Sequence, residues 1–125
     1  MVDKKNDKNC IFCKIVTGKV PCQQVYSDSS VLAFKDINPS AKIHIVVIPK
    51  THYTNFSKAR PIDEPVVGHL FNMAGKIANL LDVATSGYRI VVNQGSDAGQ
   101  EIDHFHYHLL GGQNFIAYKN RNHSS

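Results

Sequence analysis

Two segments of the chain carry hydrophobic residues at helical spacing. Between residues 63 and 81 the apolar positions recur every three or four residues, which predicts a long helix with one buried face. Pro65 suits the first turn of that helix, because its missing N–H would have no partner there. Residues 10–16 have the same spacing, and Gly18 follows them closely. They predict a short amphipathic helix that ends near this glycine.

The remaining hydrophobic segments have strand character. Residues 43–49 are mostly β-branched and are apolar on both faces except at His44, which predicts a strand buried on both sides. A run of strands interrupted by one long helix is typical of an α+β fold. We therefore expect a mainly antiparallel five-stranded sheet with one long and one short helix. The predicted strands are residues 23–28 and 31–36, which form a hairpin, and residues 43–49, 87–93 and 104–110.

Composition narrows the class of protein. The 125 residues are 42% hydrophobic and 19% charged, which suits one globular domain rather than a disordered chain. No apolar run is long enough to span a membrane, and the polar N-terminus does not resemble a secretion signal. We expect a cytoplasmic protein, possible also in the nucleus, without membrane association. The net charge of +4 lies largely at the two ends, so we predict no nucleic-acid partner.

The three cysteines are an odd number in a chain without a secretion signal, which argues against a disulfide framework. Cys10 and Cys13 have the spacing of half a zinc site or of a redox pair. Nothing strand-like precedes them, so a metal site or two free thiols are the favoured alternatives. Cys22 fits no motif.

The segment "HFHYHLL", residues 104–110, places histidines at every second position. Side chains alternate across a strand, so His104, His106 and His108 share one face while the apolar residues between them face a core. Three imidazoles on one face are hard to explain by packing. They could ligate a metal, or one could act as a nucleophile that its neighbours orient.

The loop before these histidines favours chemistry on a phosphate. Its sequence, "NQGSDAGQ", supplies glycine backbone amides together with serine, asparagine and glutamine side chains. Such a loop can hold an anion through its N–H groups. A phosphate bound there would lie beside the histidines, which indicates phosphoryl or nucleotidyl transfer more than zinc-dependent hydrolysis.

"HFHYHLL" resembles the signature of the histidine triad (HIT) superfamily. The segments "CIFCKIVTGKVP", "AFKDINPSAKIHIVVIPKTH", "GYRIVVNQGSDAGQ" and "HLLGG" resemble, in the same order, segments of its Hint branch. The resemblance covers roughly residues 9 to 112. It implies a HIT domain over residues 10–112, followed by a tail at residues 113–125. The charged residues 1–9 before it predict a disordered lead-in.

The resemblance implies a purine nucleoside phosphoramidase, which cleaves the P–N bond of adenosine 5′-phosphoramidates. His106 corresponds to the family's nucleophile and would form a nucleotidyl-histidine that water then hydrolyses. His108 would bind the phosphate and assist proton transfer, and His44 corresponds to a further active-site histidine. From the residues alone, His44 is better explained as a buried structural histidine.

The resemblance also implies a nucleotide site and a homodimer. Asp36 and Ile37 would line the nucleoside pocket, with Asp36 at the ribose hydroxyls; without the resemblance, Asp36 is an ordinary turn residue. The phosphate and leaving group would contact the following loop and triad residues: Asn93, Gly99, Gln100, Glu101, His106 and His108. At Glu101 we expect the backbone N–H, not the carboxylate, to face the ligand. The partners are then an AMP-type purine nucleotide and a second copy of the chain.

Some members of the family with an N-terminal Cys-x-x-Cys bind structural zinc. The corresponding ligands are Cys10, Cys13, His52 and His104, a donor set that suits a closed tetrahedral site. The resemblance therefore implies a structural Zn²⁺ and no organic cofactor. The alternative is two free thiols in a reducing compartment.

Other functions remain compatible with the sequence. A dinucleoside polyphosphate hydrolase, as in the Fhit branch, would use the same chemistry. A nucleotide-binding regulatory module would bind AMP with little turnover, and a zinc hydrolase would use the three histidines as catalytic ligands. "HLLGG" after the last histidine favours the Hint branch over the Fhit branch.

Overall fold

A five-stranded antiparallel sheet forms the centre of the computed structural model, which describes residues 2–4 and 7–116. The strands are β1 (Val2–Lys4), β2 (Gln24–Ser27), β3 (Val31–Lys35), β4 (Ile43–Pro49), β5 (His52–Tyr53), β6 (Tyr88–Val91) and β7 (Tyr107–Gly111). The helices are α1 (Ile11–Val16) and α2 (Glu64–Leu80), and single 3₁₀ turns occupy Phe56–Lys58, Pro61–Asp63 and Ser96–Ala98. The large sheet has the order β2-β3-β4-β7-β6, and every neighbouring pair is antiparallel. This architecture confirms the predicted α+β fold class.

The two helices cover opposite faces of the sheet. Alternate residues of β3 and β4, such as Ala33 and Val47, pack with the apolar face of α2. The residues between them, such as Phe34 and Val46, pack with Phe12 and the two cysteines of the N-terminal segment. β4 is buried from its second residue onwards, as its unbroken apolar pattern predicts.

The three triad histidines face the α1 side of the sheet. Phe105, Tyr107 and Leu109 belong to the core under α2, which confirms the predicted inward face of this segment. Tyr107 is fully buried, and its hydroxyl donates a hydrogen bond to the carbonyl of Leu70 in α2 (2.7 Å). The long helix therefore fixes the strand whose other face carries the histidines.

β7 begins three residues later than predicted, at Tyr107 rather than at His104. Continued pairing with β4 would bring residue 105 opposite Pro49, which has no N–H to donate. The N–H of Phe105 donates instead to the carbonyl of Tyr53 in β5. His104 therefore lies outside the large sheet, where its contacts differ from those of His108.

Part of the lead-in is described. Within residues 1–9, for which the sequence predicts disorder, β1 pairs antiparallel with β5. The charged lead-in has no strand pattern of its own, and the pairing depends on an edge that β5 supplies from a distant part of the chain. Of the predicted tail, residues 117–125 lie outside the described part of the chain.

Candidate active site

Burial and one backbone contact define the state of His106. Its side chain lines a cavity but is otherwise enclosed, with 6% of the residue exposed. Its Nδ1 lies 2.7 Å from the carbonyl oxygen of His104. Because a carbonyl can only accept, Nδ1 carries the proton and Nε2 keeps its lone pair. Burial lowers the pKa of His106 below its ordinary value, although the His104 carbonyl and Asp36 oppose the shift. The ring is therefore neutral near pH 7 and has a free nucleophilic nitrogen.

His44 and His108 form a directed hydrogen-bond chain. The backbone N–H of Ser40 donates to Nδ1 of His44 (2.9 Å), so Nε2 of His44 carries the proton in the neutral ring. That Nε2 lies 2.8 Å from Nδ1 of His108 and 3.3 Å from Oδ2 of Asp36. Nδ1 of His108 therefore accepts, and its Nε2 holds a proton. Burial lowers the pKa of His44, and burial with the proximity of His106 and His44 lowers the pKa of His108 to about 4.

The two pocket-facing histidines thus offer complementary groups. Their ring centroids are 5.0 Å apart. His106 presents a lone pair and His108 an N–H, which are the groups needed to attack a phosphorus atom and to protonate a leaving group. His44 does not line the cavity; it contacts the ring nitrogen of His108 that faces away from the cavity.

The cavity has a volume of about 340 Å³, within the range of small-molecule sites. All eight residues that the resemblance assigns to nucleotide contact lie around it: Asp36, Ile37, Asn93, Gly99, Gln100, Glu101, His106 and His108. Ile37 lies at the rim of the cavity and is 90% exposed, so its side chain is accessible to a ligand there.

The loop from Gln94 to Ile102 is held by one of these residues. The Gln100 side-chain oxygen accepts from the N–H of Gly95 (2.8 Å) and from the side chain of Gln94 (3.1 Å). Its nitrogen donates to the carbonyl of Ile102 (3.1 Å). Gly99 has φ +82°, a conformation that strains residues with side chains. Gln100 therefore shapes the loop whose backbone borders the cavity.

The sequence did not predict the apolar wall of this cavity. One face of α1 supplies Ile11, Phe12 and Ile15, and Cys22, which fits no motif, also lies in the wall. The spacing of apolar residues predicts that α1 has an apolar face. It does not predict that this face lines a cavity instead of packing only in the core. The other apolar wall residues are Val20, Pro21, Phe34, Val46 and Ile102.

A second cluster joins the four predicted metal ligands. Nδ1 of His104 lies 3.4 Å from Sγ of Cys10 and 3.6 Å from Sγ of Cys13. Nδ1 of His52 lies 3.2 Å from Sγ of Cys13. All four donor atoms lie within 4.8 Å of one another, and all four residues are buried.

The distances in this cluster fit a tetrahedral metal site. Sulfur and nitrogen ligands of one zinc ion are about 3.6 Å apart when the metal–ligand bonds have their usual lengths. Nε2 of His104 lies 2.9 Å from the carbonyl of Pro49, which leaves Nδ1 free to ligate. The donor set and its outer contact therefore suit a structural Zn²⁺.

Asp36, His44 and His108 also bring three donor atoms within 4.8 Å of one another. Two nitrogens on one zinc ion are about 3.3 Å apart, whereas those of His44 and His108 are 2.8 Å apart and aligned by the Ser40 contact. A proton relay explains this trio better than a metal. The triad is thus divided between two clusters, which is unfavourable for a zinc hydrolase that would use all three as ligands.

Comparison with known proteins identifies the family. The HIT domain model matches residues 17–115. A HIT-like protein of Rickettsia prowazekii is 42% identical over 119 residues, covering 93% of this chain and 98% of its own. The chain belongs to the HIT domain family.

Solved structures of the family are similar over most of the chain. A histidine triad protein from Clostridium difficile is 42% identical, with a TM-score of 0.85 over 88% of this chain and 96% of its own. A protein from Clostridium thermocellum described as a HIT family hydrolase is 40% identical, also with a TM-score of 0.85, over 88% and 96% of the two chains. These relatives support a hydrolase-like protein.

Proposed function

We propose that this protein is a purine nucleoside phosphoramidase of the Hint type, which hydrolyses adenosine 5′-monophosphoramidates through a nucleotidyl-histidine. The observation that carries the proposal is the pairing of a free Nε2 on His106 with an N–H on His108 at one cavity. The apolar wall suits a purine base, and Asp36 at the rim suits ribose hydroxyls as an acceptor.

In the first step, Nε2 of His106 attacks the α-phosphorus, a P–N bond to the histidine forms, and the P–N bond to the amine breaks. The negative charge of the bound phosphate favours one further proton on the His44–His108 pair. The leaving nitrogen takes that proton from Nε2 of His108, and the pair returns to the neutral state in which Nδ1 of His108 faces the N–H of His44. The positive charge that develops on His106 is stabilised by the His104 carbonyl at Nδ1. Water then attacks phosphorus, and the P–N bond to Nε2 of His106 breaks, which returns the lone pair to His106. The water gives one proton to the His44–His108 pair, and AMP leaves.

The proposal includes a structural Zn²⁺, which would be held by Cys10, Cys13, His52 and His104 and would tie the N-terminal segment to the sheet. The proposal also includes a homodimer joined through sheet edges.

β6 is an outer strand of the large sheet. Arg89 and Ile90 on this strand are exposed, which supports an interface there. Sedimentation velocity would test the dimer.

We also propose a cytoplasmic location, with the nucleus as a further possibility, and no membrane or nucleic-acid partner. Among the described residues, neither helix has the length and apolar character needed to cross a bilayer.

Trapping the intermediate is the sharpest test of the mechanism. We expect a rapid quench without acid, with labelled adenosine phosphoramidate, to leave nucleotide covalently on His106. His106→Ala should abolish both labelling and turnover. His69→Gln is the matched control, because His69 contacts Asp28 away from the cavity. Turnover by wild type without any covalent nucleotide would rule out this mechanism.

Substrate comparison separates this function from its alternatives. Faster hydrolysis of a dinucleoside polyphosphate than of the phosphoramidate would indicate an Fhit-type enzyme. Tight AMP binding with a rate that His106→Ala leaves unchanged would indicate a regulatory module.

A further inference from the structure

Two separate contacts connect the Cys₂His₂ cluster to His106. The first is the backbone of His104: its side chain belongs to the cluster, and its carbonyl accepts the Nδ1 proton of His106 (2.7 Å). His104 is fully buried and is tied to Pro49 at its other ring nitrogen. A shift of this side chain would therefore move the carbonyl that orients His106.

The second contact is Phe12, which lies between Cys10 and Cys13 in the chain. Its ring meets the ring of His106 edge to face, with centroids 5.2 Å apart and an angle of 87°. It meets the ring of His104 in the same manner at 5.7 Å. Only 8% of Phe12 is exposed, and Phe34 packs against its ring on another side.

α1 is too short to be stable without tertiary contacts. It has six residues, far fewer than an independent helix needs. Cys10 caps it by accepting the N–H of Cys13, and both sulfurs face the histidines of the cluster. The cluster therefore fixes the helix that carries Phe12. The positions of the Phe12 ring and of the His104 carbonyl both depend on the same four ligands.

We propose that Phe12 and the His104 carbonyl are positioning groups that make the orientation of the His106 ring depend on Zn²⁺ in the Cys10–Cys13–His52–His104 cluster. This inference rests on the proposed function, in which His106 is the nucleophile. The cluster would then contribute to catalysis as well as to stability, although none of its four ligand residues lines the cavity.

The first test compares the full-length protein with and without Zn²⁺. One Zn²⁺ should bind per chain, and Co²⁺ in its place should give the absorption of tetrahedral thiolate ligation. Chelation should broaden or remove the NMR signal of the His106 Nδ1 proton and lower kcat about tenfold or more, with a smaller change in KM. Failure to bind the metal, or chelation that leaves both the signal and kcat unchanged, would overturn the proposal.

Substitution of Phe12 tests the coupling while the metal stays bound, which matters if the zinc-free chain unfolds. Phe12→Leu should keep one Zn²⁺ per chain yet lower kcat about tenfold and weaken the Nδ1 signal, and Phe12→Tyr should restore both. Phe71→Leu is the control, since Phe71 stacks on Tyr107 across the sheet. Two results would overturn the positioning role: a Phe12→Leu variant that changes only KM, or one that lowers kcat no more than Phe71→Leu does. Either result would leave Phe12 as a residue of the cavity wall and the core.

The readouts separate this inference from the function on which it rests. A wild type that binds AMP but does not hydrolyse the phosphoramidate would contradict the proposed function. The His106 Nδ1 signal, followed with and without Zn²⁺ and in Phe12→Leu, would then decide the positioning by itself.

Discussion

Each triad histidine is defined by the partners of its two ring nitrogens. His104 has a backbone carbonyl at Nε2 and sulfur atoms at Nδ1. His106 has a carbonyl at Nδ1 and a cavity beside its ring, and His108 has another histidine at Nδ1. Identical side chains thus have different roles, because a carbonyl oxygen, a cysteine sulfur and an imidazole nitrogen make different demands on a ring nitrogen.

Burial of neutral histidines predicts how stability depends on pH. Since the pKa of His108 falls to about 4 on folding, the unfolded chain binds more protons between pH 4 and 6.5. Its contribution to stability is complete above pH 6.5 and is lost as the pH falls towards 4. We expect His108→Gln to reduce the slope of the unfolding free energy in this window, by up to about 1.4 kcal/mol per pH unit. Urea titrations between pH 5 and 7.5 would measure it; equal slopes for both proteins would contradict the assignment.

One carboxylate connects the β2–β3 hairpin to α2. Oδ1 of Asp28 accepts the backbone N–H groups of Ser30 and Val31, each at 2.8 Å, which shapes the hairpin turn. Its Oδ2 accepts from the Tyr26 hydroxyl (2.8 Å) and lies 2.7 Å from Nε2 of His69 in α2. His69 therefore links α2 to the β2–β3 hairpin.

Loss of this carboxylate should destabilise the protein without changing the active site. We expect Asp28→Ala to lower the free energy of unfolding by about 2–3 kcal/mol, because it removes an acceptor of charge-assisted hydrogen bonds. Asp28→Asn, which keeps an oxygen for the turn, should cost less. Urea denaturation and KM for the phosphoramidate would be measured together. A changed KM at unchanged stability would contradict a purely structural role.

Two glycines in different elements should respond oppositely to alanine. A Cβ at Gly111 in β7 would lie 3.2 Å from Cγ1 of Val83, whereas one at Gly75 in α2 would meet nothing within 4 Å. We expect Gly111→Ala to destabilise by about 1–3 kcal/mol through overpacking. Gly75→Ala should stabilise by about 0.5–1 kcal/mol, because alanine favours the helix. Thermal unfolding of the pair would check this; a shift in the same direction for both would contradict the packing at Gly111.

Across the whole molecule, the two faces of the sheet are covered very unequally. A helix of 17 residues packs on one face, and one of six residues packs on the other. The cavity occupies the side with less cover, where α1 and the loop before β7 leave it open. A metal ion held by Cys10, Cys13, His52 and His104 would crosslink the N-terminal segment, β5 and the segment before β7, and would so compensate for this thin layer.

Removal of the metal should therefore cost global stability. With free Zn²⁺ at about 100 times its Kd, binding should contribute about 2.7 kcal/mol to the free energy of unfolding. We expect chelation to lower the unfolding midpoint of wild type, whereas Cys13→Ser should unfold earlier and respond little to chelation. Cys22→Ser, outside the cluster, should respond like wild type. A midpoint that chelation leaves unchanged in wild type would contradict a structural site.

The amino-acid sequence alone determined the features that depend on local periodicity. The long helix, the five strands of the large sheet and the inward face of Phe105, Tyr107 and Leu109 follow from spacing along the backbone. Local spacing does not determine where β7 begins, because that depends on the position of Pro49 in the neighbouring strand.

Tertiary structure decided how the histidines are divided. Cys10 and His104 are 94 positions apart, and His44 and His108 are 64 apart, so no local pattern relates them. The family resemblance suggested these groupings, but the ring-nitrogen partners that set each protonation state arise only when sheet, helix and loop are packed together. The sequence determined which imidazoles share a face; the fold determined which atom each of them contacts.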